Sequence, residues 1–380
     1  MDKGSGDKYN QLNRYLRKED HMKRKTTLLL AFVICILMTI GLVVSPAASA
    51  AEGKVYEWKL QAFATANEAK YTCLKEFAKN VEVASNGRLK IKTYPTGEIV
   101  AGPAVWDAVK NNVVQMGTGT PNWWGGRDVA WLALATGPFI LPGMVKPAAF
   151  YYEGGGLEMA NELSQKHGML FRPANWMGSE AGIIATFPLK SLADLKGKTI
   201  RMGPGIPTEV IVEASGCSAV ALAGAETYEA LQRKVIDGVE WATLDALISA
   251  KYYEVCSHLL GPAIWQPGTM EHFLINKKAY DQLPDDLKRI LELGMRVSCD
   301  KSTYVAYLDG IKAYYYLKEK GIVINKFSAE DMRKFKAAAD KVFAKYNAKS
   351  AAFKRIYDAK VAFAERWDPV EQFLTIPPFE

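Results

Sequence analysis

The chain has 380 residues, with 48 Lys and Arg against 41 Asp and Glu, for a formal net charge of +7. Residues 1–50 hold eight of the basic and four of the acidic residues, so the rest balances at 40 against 37, or +3. That remainder is long for one core and natural for two lobes, and it has no basic stripe with interleaved aromatics, which excludes a nucleic-acid footprint.

From Met22 the chain reads "MKRKTTLLLAFVICILMTIGLVVSPAASAAE": a basic start, an apolar run from about 28 to 44, and small residues Ala48-Ser49-Ala50. This is the pattern of a secretory signal, and it predicts residues 1–50 as leader and signal peptide and an exported, periplasmic protein. A membrane anchor is the other reading, but the run is marginal for a span and no stop-transfer cluster follows. Four cysteines lie beyond it, at 73, 217, 256 and 299. Their wide spacing predicts scattered small core residues rather than a disulfide framework or a zinc site.

The next elements alternate. "VYEWKLQAF" reads as a strand, 67–83 as a helix with apolar spacing at Leu74, Phe77, Ala78 and Val81, and "GRLKIKTYP" as a strand. "GPAVWDAVKNN" reads as a helix with Pro103 in its first turn, and "VVQMGTGTP" as a buried strand. This βαβαβ order predicts a mostly parallel sheet flanked by helices. A second round begins near Asn175. "SLADLKGKTIRM" runs from a short helix into a strand, and "IPTEVIVEASG" and "AETYEALQRKVIDG" read as helices, the second with Gly238 near its end. "VEWAT", "EHFLIN" and a helix from 283 follow. Two α/β units without a low-complexity linker predict two lobes joined by structured crossings. Near the end, Ser328 with Asp331 signals a helix start, and the pattern stays helical to about Trp367. Phe353, Ile356, Tyr357, Lys360 and Phe363 share a face of it, packed either on their own lobe or on a second copy.

Tests for catalysis mostly fail. There is no G-x-S-x-G elbow and no H-E-x-x-H. "MGPGIPT" has Thr208 where a dinucleotide loop needs glycine, and Pro204 removes an amide from the phosphate cradle. Arg201, however, ends a predicted strand ahead of a helix start, where open α/β sheets bind ligands and a guanidinium can hold a carboxylate. "DGVEWATL" raises a further question, because Glu240 sits beside Trp241 at the start of an apolar strand. A buried carboxylate needs a positive neighbour, either a hard cation with oxygen ligands or a base such as a lysine or Arg201.

Three stretches, "LADLKGKTIRMGPG", "AETYEALQRKVIDGVEW" and "WQPGTMEHFLINKKAYDQLP", resemble successive motifs of the solute-binding proteins of tripartite ATP-independent periplasmic (TRAP) transporters. "GRLKIKTYPTGEIVAG" and "DAVKNNVVQMGTGTPNWWGGRD" are similar to that family's first lobe. The resemblance runs from about 55 to 330 and is nearest to the subgroup binding 2-oxo acids or lactate. It implies an α/β, two-lobed periplasmic binding protein fold with a long C-terminal helix. The expected division is 51–176 with 268–310 as lobe I, and 177–267 with 311–380 as lobe II, including a C-terminal dimerisation helix. It also implies a small organic acid ligand, TRAP membrane subunits as partners, a homodimer, and a Ca or Na ion bridging protein and ligand. Arg201 falls on the carboxylate-binding arginine. Glu240, the Trp241 carbonyl, Gln266 and Glu180 fall on the metal-binding positions. The subgroup usually has Glu at the position of Gln266 and Gln at that of Glu180, so acid and amide look exchanged here. Asn175, Trp176, Asn122, Trp123 and Trp124 would line the cleft. The expected function is capture of a 2-oxo or 2-hydroxy acid and its delivery to a transporter. The alternatives are a ligand sensor for a receptor and an enzyme using Glu240 as base.

Overall fold

The strand at Tyr56–Gln61 (β1) alternates exposed and buried side chains before burying completely, and its neighbour Leu89–Tyr94 (β2) does the reverse. Both show the alternation that pleating imposes on a strand with one covered face. The computed structural model describes residues 53–376 apart from 136 and 223, so the expected leader and signal peptide lie outside the described residues. The remaining strands are β3 (Met116–Gly119), β4 (Met169–Gly178), β5 (Ile183–Ala185), β6 (Thr199–Arg201), β7 (Ser218–Val220), β8 (Gly238–Glu240), β9 (His258–Gly261), β10 (Thr269–Asn276) and β11 (Val323–Lys326). The helices are α1 (Ala69–Ala84), α2 (Val105–Lys110), α3 (Trp131–Leu134), α4 (Val145–Glu153), α5 (Gly156–Gln165), α6 (Ile206–Ser215), α7 (Gly224–Gln232), α8 (Leu244–Ser249), α9 (Lys277–Asp281), α10 (Asp285–Glu319), α11 (Ala329–Lys349) and α12 (Ala351–Leu374). No helix among the described residues is long and apolar enough to cross a membrane.

These strands form two mixed sheets, in the orders β2-β1-β3-β10-β4 and β11-β9-β5-β8-β6-β7. Each is parallel except for one reversed strand. In the first sheet β10 runs against β3 and β4, and in the second β5 runs against β8 and β9. Both reversed strands enter directly from the other sheet. The chain crosses at 179–182, between β4 and β5, and again at 262–268, between β9 and β10. Glycines allow these crossings to touch: a Cβ on Gly182, whose φ is +116°, would lie 2.2 Å from the Leu260 carbonyl oxygen, and one on Gly261 would lie 2.0 Å from that of Ala181. The crossings are therefore structured, as expected. From Val55 onward the described residues cluster as one compact unit.

Several local expectations change. The helix predicted to end near Gly238 stops at Gln232; Lys234 takes a left-handed turn (φ 57°) and Gly238 opens β8 instead. The final helical stretch is two helices. Ser328 closes a capping box with Asp331 at the start of α11, as predicted, but Ser350 turns extended and caps a new helix by accepting from the Phe353 amide. The stripe assigned to a second copy is covered by the chain's own residues. Phe353 and Ile356 are fully buried, the ring of Tyr357 lies 4.7 Å from that of Phe343, and the ring of Phe363 lies 5.5 Å from that of Phe150. Lys360, also buried, donates to the Leu134 and Ala135 carbonyls. α11 packs on α6 beside the second sheet, whereas α12 packs on α3 and α4, which belong to the segment expected as lobe I. The four cysteines are buried and free.

Candidate functional site

β6 and β8 are parallel neighbours that end side by side, with Arg201 paired to Val239 and Glu240 one residue further on. Both side chains emerge at the carboxyl end of the second sheet, where such sheets place ligands. Arg201 is buried and fixed from three sides. Its Nε donates to the Leu222 carbonyl (3.1 Å), its Nη1 donates to the Glu240 carbonyl (3.0 Å), and its guanidinium carbon lies 4.3 Å from the centre of the Trp241 ring. Burial pulls its pKa down, while Glu240, Tyr252 and Glu180 act to hold it up. The Trp241 ring is in turn held edge-on by Tyr252 at 5.7 Å.

Glu240 is 4% exposed; its Oε2 accepts from the Gly203 amide at 3.4 Å, and its Oε1 is buried with no partner. Glu180 arrives from the first crossing. The second crossing clasps it: Gln266 Nε2 donates to Glu180 Oε1 (2.8 Å), and the Ala263 amide donates to the Glu180 carbonyl (3.0 Å). Burial foremost, then the adjoining Glu240 carboxyl, pushes the Glu180 pKa well above the carboxylate range, against smaller opposing effects from Thr269 and Lys70. A buried carboxyl beside a second one is costly to ionise, and a cation between them would relieve that cost. The donors here are all oxygens, which suits a hard cation. Gln266 turns its nitrogen toward Glu180, so in this arrangement it orients that carboxyl. Among the described residues no three His, Cys, Asp or Glu converge, so a cation here would need neutral oxygens as well.

The first sheet contributes amides and rings. Asn175, 2% exposed, has neither amide atom partnered. Asn122 Nδ2 reaches across to the Pro204 carbonyl at 3.2 Å, tying the turn before α3 to the loop after Arg201. Trp123 is half-buried and packs edge-on to Phe63 at 5.6 Å. Trp176, expected in the cleft, packs instead against Tyr151 and Tyr152, on the opposite face of β4 from Asn175. Trp124 also belongs to the core, donating Nε1 to His272 Nε2 at 3.0 Å, and Trp265 is wedged between Phe327 and Phe335.

One group escaped the sequence reading. Lys70, at the start of α1, bridges Glu271 (2.6 Å) and Glu68 (3.0 Å). Glu271 stands directly opposite Asn175 on the neighbouring strand. Its signal was present in the sequence: a carboxylate inside "TMEHFLIN", a strand buried at every position.

Residues 60–350 match the model of bacterial extracellular solute-binding protein, family 7, also called DctP. The chain belongs to this family, the solute-binding proteins of TRAP transporters. It is a binding protein and not an enzyme, so the reading of Glu240 as a catalytic base falls away. The monocarboxylate 2-oxoacid-binding periplasmic protein of Nostoc sp. (strain PCC 7120) is 30% identical over 307 residues, covering 78% of this chain and 81% of that protein. A TRAP periplasmic solute-binding protein from Pseudoalteromonas atlantica, solved with bound sodium and pyruvate, superposes with a TM-score of 0.78 at 27% identity. The match covers 84% of this chain and 97% of the other. One from Colwellia psychrerythraea, with bound calcium and pyruvate, gives a TM-score of 0.79 at 25% identity, covering 84% and 98%.

Proposed function

We propose that this protein binds a small 2-oxo or 2-hydroxy monocarboxylate of the pyruvate class between its two sheets, in the periplasm, and delivers it to TRAP membrane subunits. The observation that carries this reading is that Asn175 on the first sheet and Arg201 with Glu240 at the carboxyl end of the second are all buried polar groups. Two of them have atoms without partners, a costly arrangement unless a ligand completes it. Arg201 spends Nε and one N–H of Nη1 on carbonyls, which aims its remaining edge at the ligand carboxylate. Asn175 supplies the opposing amide, and Asn122 and Trp123 close the mouth. Closure would be a movement of one sheet with its helices against the other about 179–182 and 262–268, with boundaries near 176, 267 and 310.

A calcium or sodium ion belongs to the same reading. Glu240, Glu180 and the Trp241 carbonyl would hold it, joined by the Gln266 oxygen after a half-turn of that amide. When bound, the ion neutralises the carboxyl pair and offers a positive charge to the acid. Acid and ion then raise each other's affinity by the same factor. Calorimetric titration with pyruvate and lactate tests this in three buffers: sodium-free with chelator, with sodium, and with calcium. Binding is expected only with an ion, and Glu240→Gln should weaken it by about 1–3 kcal/mol. Equal affinity in all three buffers would remove the ion. A second copy as partner is supported by exposed apolar side chains on α10 (Tyr304, Tyr307, Leu308, Ile311) and at the end of α12 (Phe373, Leu374, Ile376).

A further inference from the structure

The Glu68–Lys70–Glu271 group is given no part above in holding the carboxylate or the ion, yet it stands directly beside Asn175, one of the proposed ligand groups. On antiparallel neighbours, directly paired residues project from the same face of the sheet. Glu271 pairs with Asn175, so the Glu271–Lys70 ion pair and the unpartnered Asn175 amide share one face. Glu271 is 5% exposed and Asn175 is 2% exposed, so neither is an ordinary solvated residue. The trio is anchored independently of any ligand: Glu68 Oε1 accepts from the Thr65 amide at 2.7 Å, and Lys70 opens α1. Its charge is unbalanced, with two carboxylates around one ammonium. Lys70 is therefore not available to pair with an incoming anion, and the wall keeps a net negative charge close to where Asn175 waits for a partner.

We propose that the Glu68–Lys70–Glu271 trio is a charge filter that admits a 2-oxo acid with an uncharged tail and rejects one carrying a second carboxylate. This rests on the binding of 2-oxo acids proposed above. With the carboxylate end fixed at Arg201 on the second sheet, the tail points toward the first sheet, where this trio stands beside Asn175. A second carboxylate there would meet a like charge beside buried side chains, where charges interact strongly.

The test compares 2-oxopentanoate with 2-oxoglutarate by calorimetry on the wild type, Glu271→Gln and Glu68→Gln. The wild type should bind 2-oxopentanoate and discriminate against 2-oxoglutarate. Each neutralising variant should shift the affinity ratio toward 2-oxoglutarate by about tenfold or more. Glu68 lies in a turn outside the sheet, so its variant keeps the test valid if Glu271→Gln fails to fold. Equal loss of both ligands, with the ratio unmoved, would make the trio a structural clasp and overturn the filter. Failure of the wild type to bind any 2-oxo acid would instead overturn the proposed function.

Discussion

The two sheets share one plan, mostly parallel with a single reversed strand, but they present different chemistry to the space between them. The second sheet offers charge held by backbone: Arg201 pinned on two carbonyls, Glu240 on the Gly203 amide. The first offers neutral amides and rings, and beside Asn175 a lysine held between two carboxylates, which leaves a net negative charge. A buried charge with fixed geometry can hold a ligand tightly, because the cost of desolvating and orienting it is met in folding. Neutral groups and an excess of like charge hold less and discriminate more, since they reject a second charge that finds no partner.

The largest expected effect breaks the second sheet's side of this contrast. Arg201→Lys keeps the charge and loses the planar fork, which here must serve two carbonyls, the Trp241 ring and a ligand at once. Affinity for pyruvate should fall by about 2–4 kcal/mol in calorimetry. Near wild-type affinity would mean that another group anchors the carboxylate. By contrast, Asn175→Ala on the first sheet should cost less affinity than Arg201→Lys.

Much of this was legible in the sequence where a local rule decides the outcome. Ser328 and Asp331 make their predicted capping box, and the strand before Arg201 ends where the loop signals place it. Glu240 was legible because a carboxylate beside a tryptophan in an apolar run violates the strand pattern. Glu271 breaks the pattern in the same way but was passed over, since its partner Lys70 lies about 200 positions earlier and reads alone as a solvated helix residue. Trp176 was misplaced because alternation along β4 decides which of two adjacent residues faces the cleft, and the irregular register of β4 against β10 hides that parity from the sequence. The C-terminal stripe reads as apolar from its periodicity, but periodicity does not say whose surface covers it.

A smaller effect tests the joint between the two sheets. Gly182→Ala adds a methyl group against the Leu260 carbonyl at a φ that side chains avoid. The strain should lower stability by about 2 kcal/mol or more in urea unfolding. It should also weaken ligand binding, because the same crossing carries Glu180. If Gly182→Ala binds and melts like wild type, the crossings are looser than their hydrogen bonds imply, and the sheets' relative placement does not depend on them.

The smallest expected effect separates two neighbours on β10. Glu271 faces α1 and is paired, whereas His272 faces the aromatic core, stacked on Phe171 at 4.6 Å and accepting from Trp124 Nε1. Burial without an acidic partner pushes the His272 pKa from 6.5 down to about 3. The folded protein therefore refuses a proton that the unfolded chain accepts. This contribution to stability is complete above pH 6.5 and is lost as pH falls toward 3, at up to roughly 1.4 kcal/mol per pH unit. His272→Phe preserves the stacking but orphans the Trp124 N–H, so it should cost about 1 kcal/mol or more at neutral pH. Between pH 6.5 and 4.5 its stability should fall less steeply than that of the wild type. Parallel pH profiles from urea unfolding of the two proteins would show that acid acts elsewhere, with the paired carboxylates of the first sheet next to be tested.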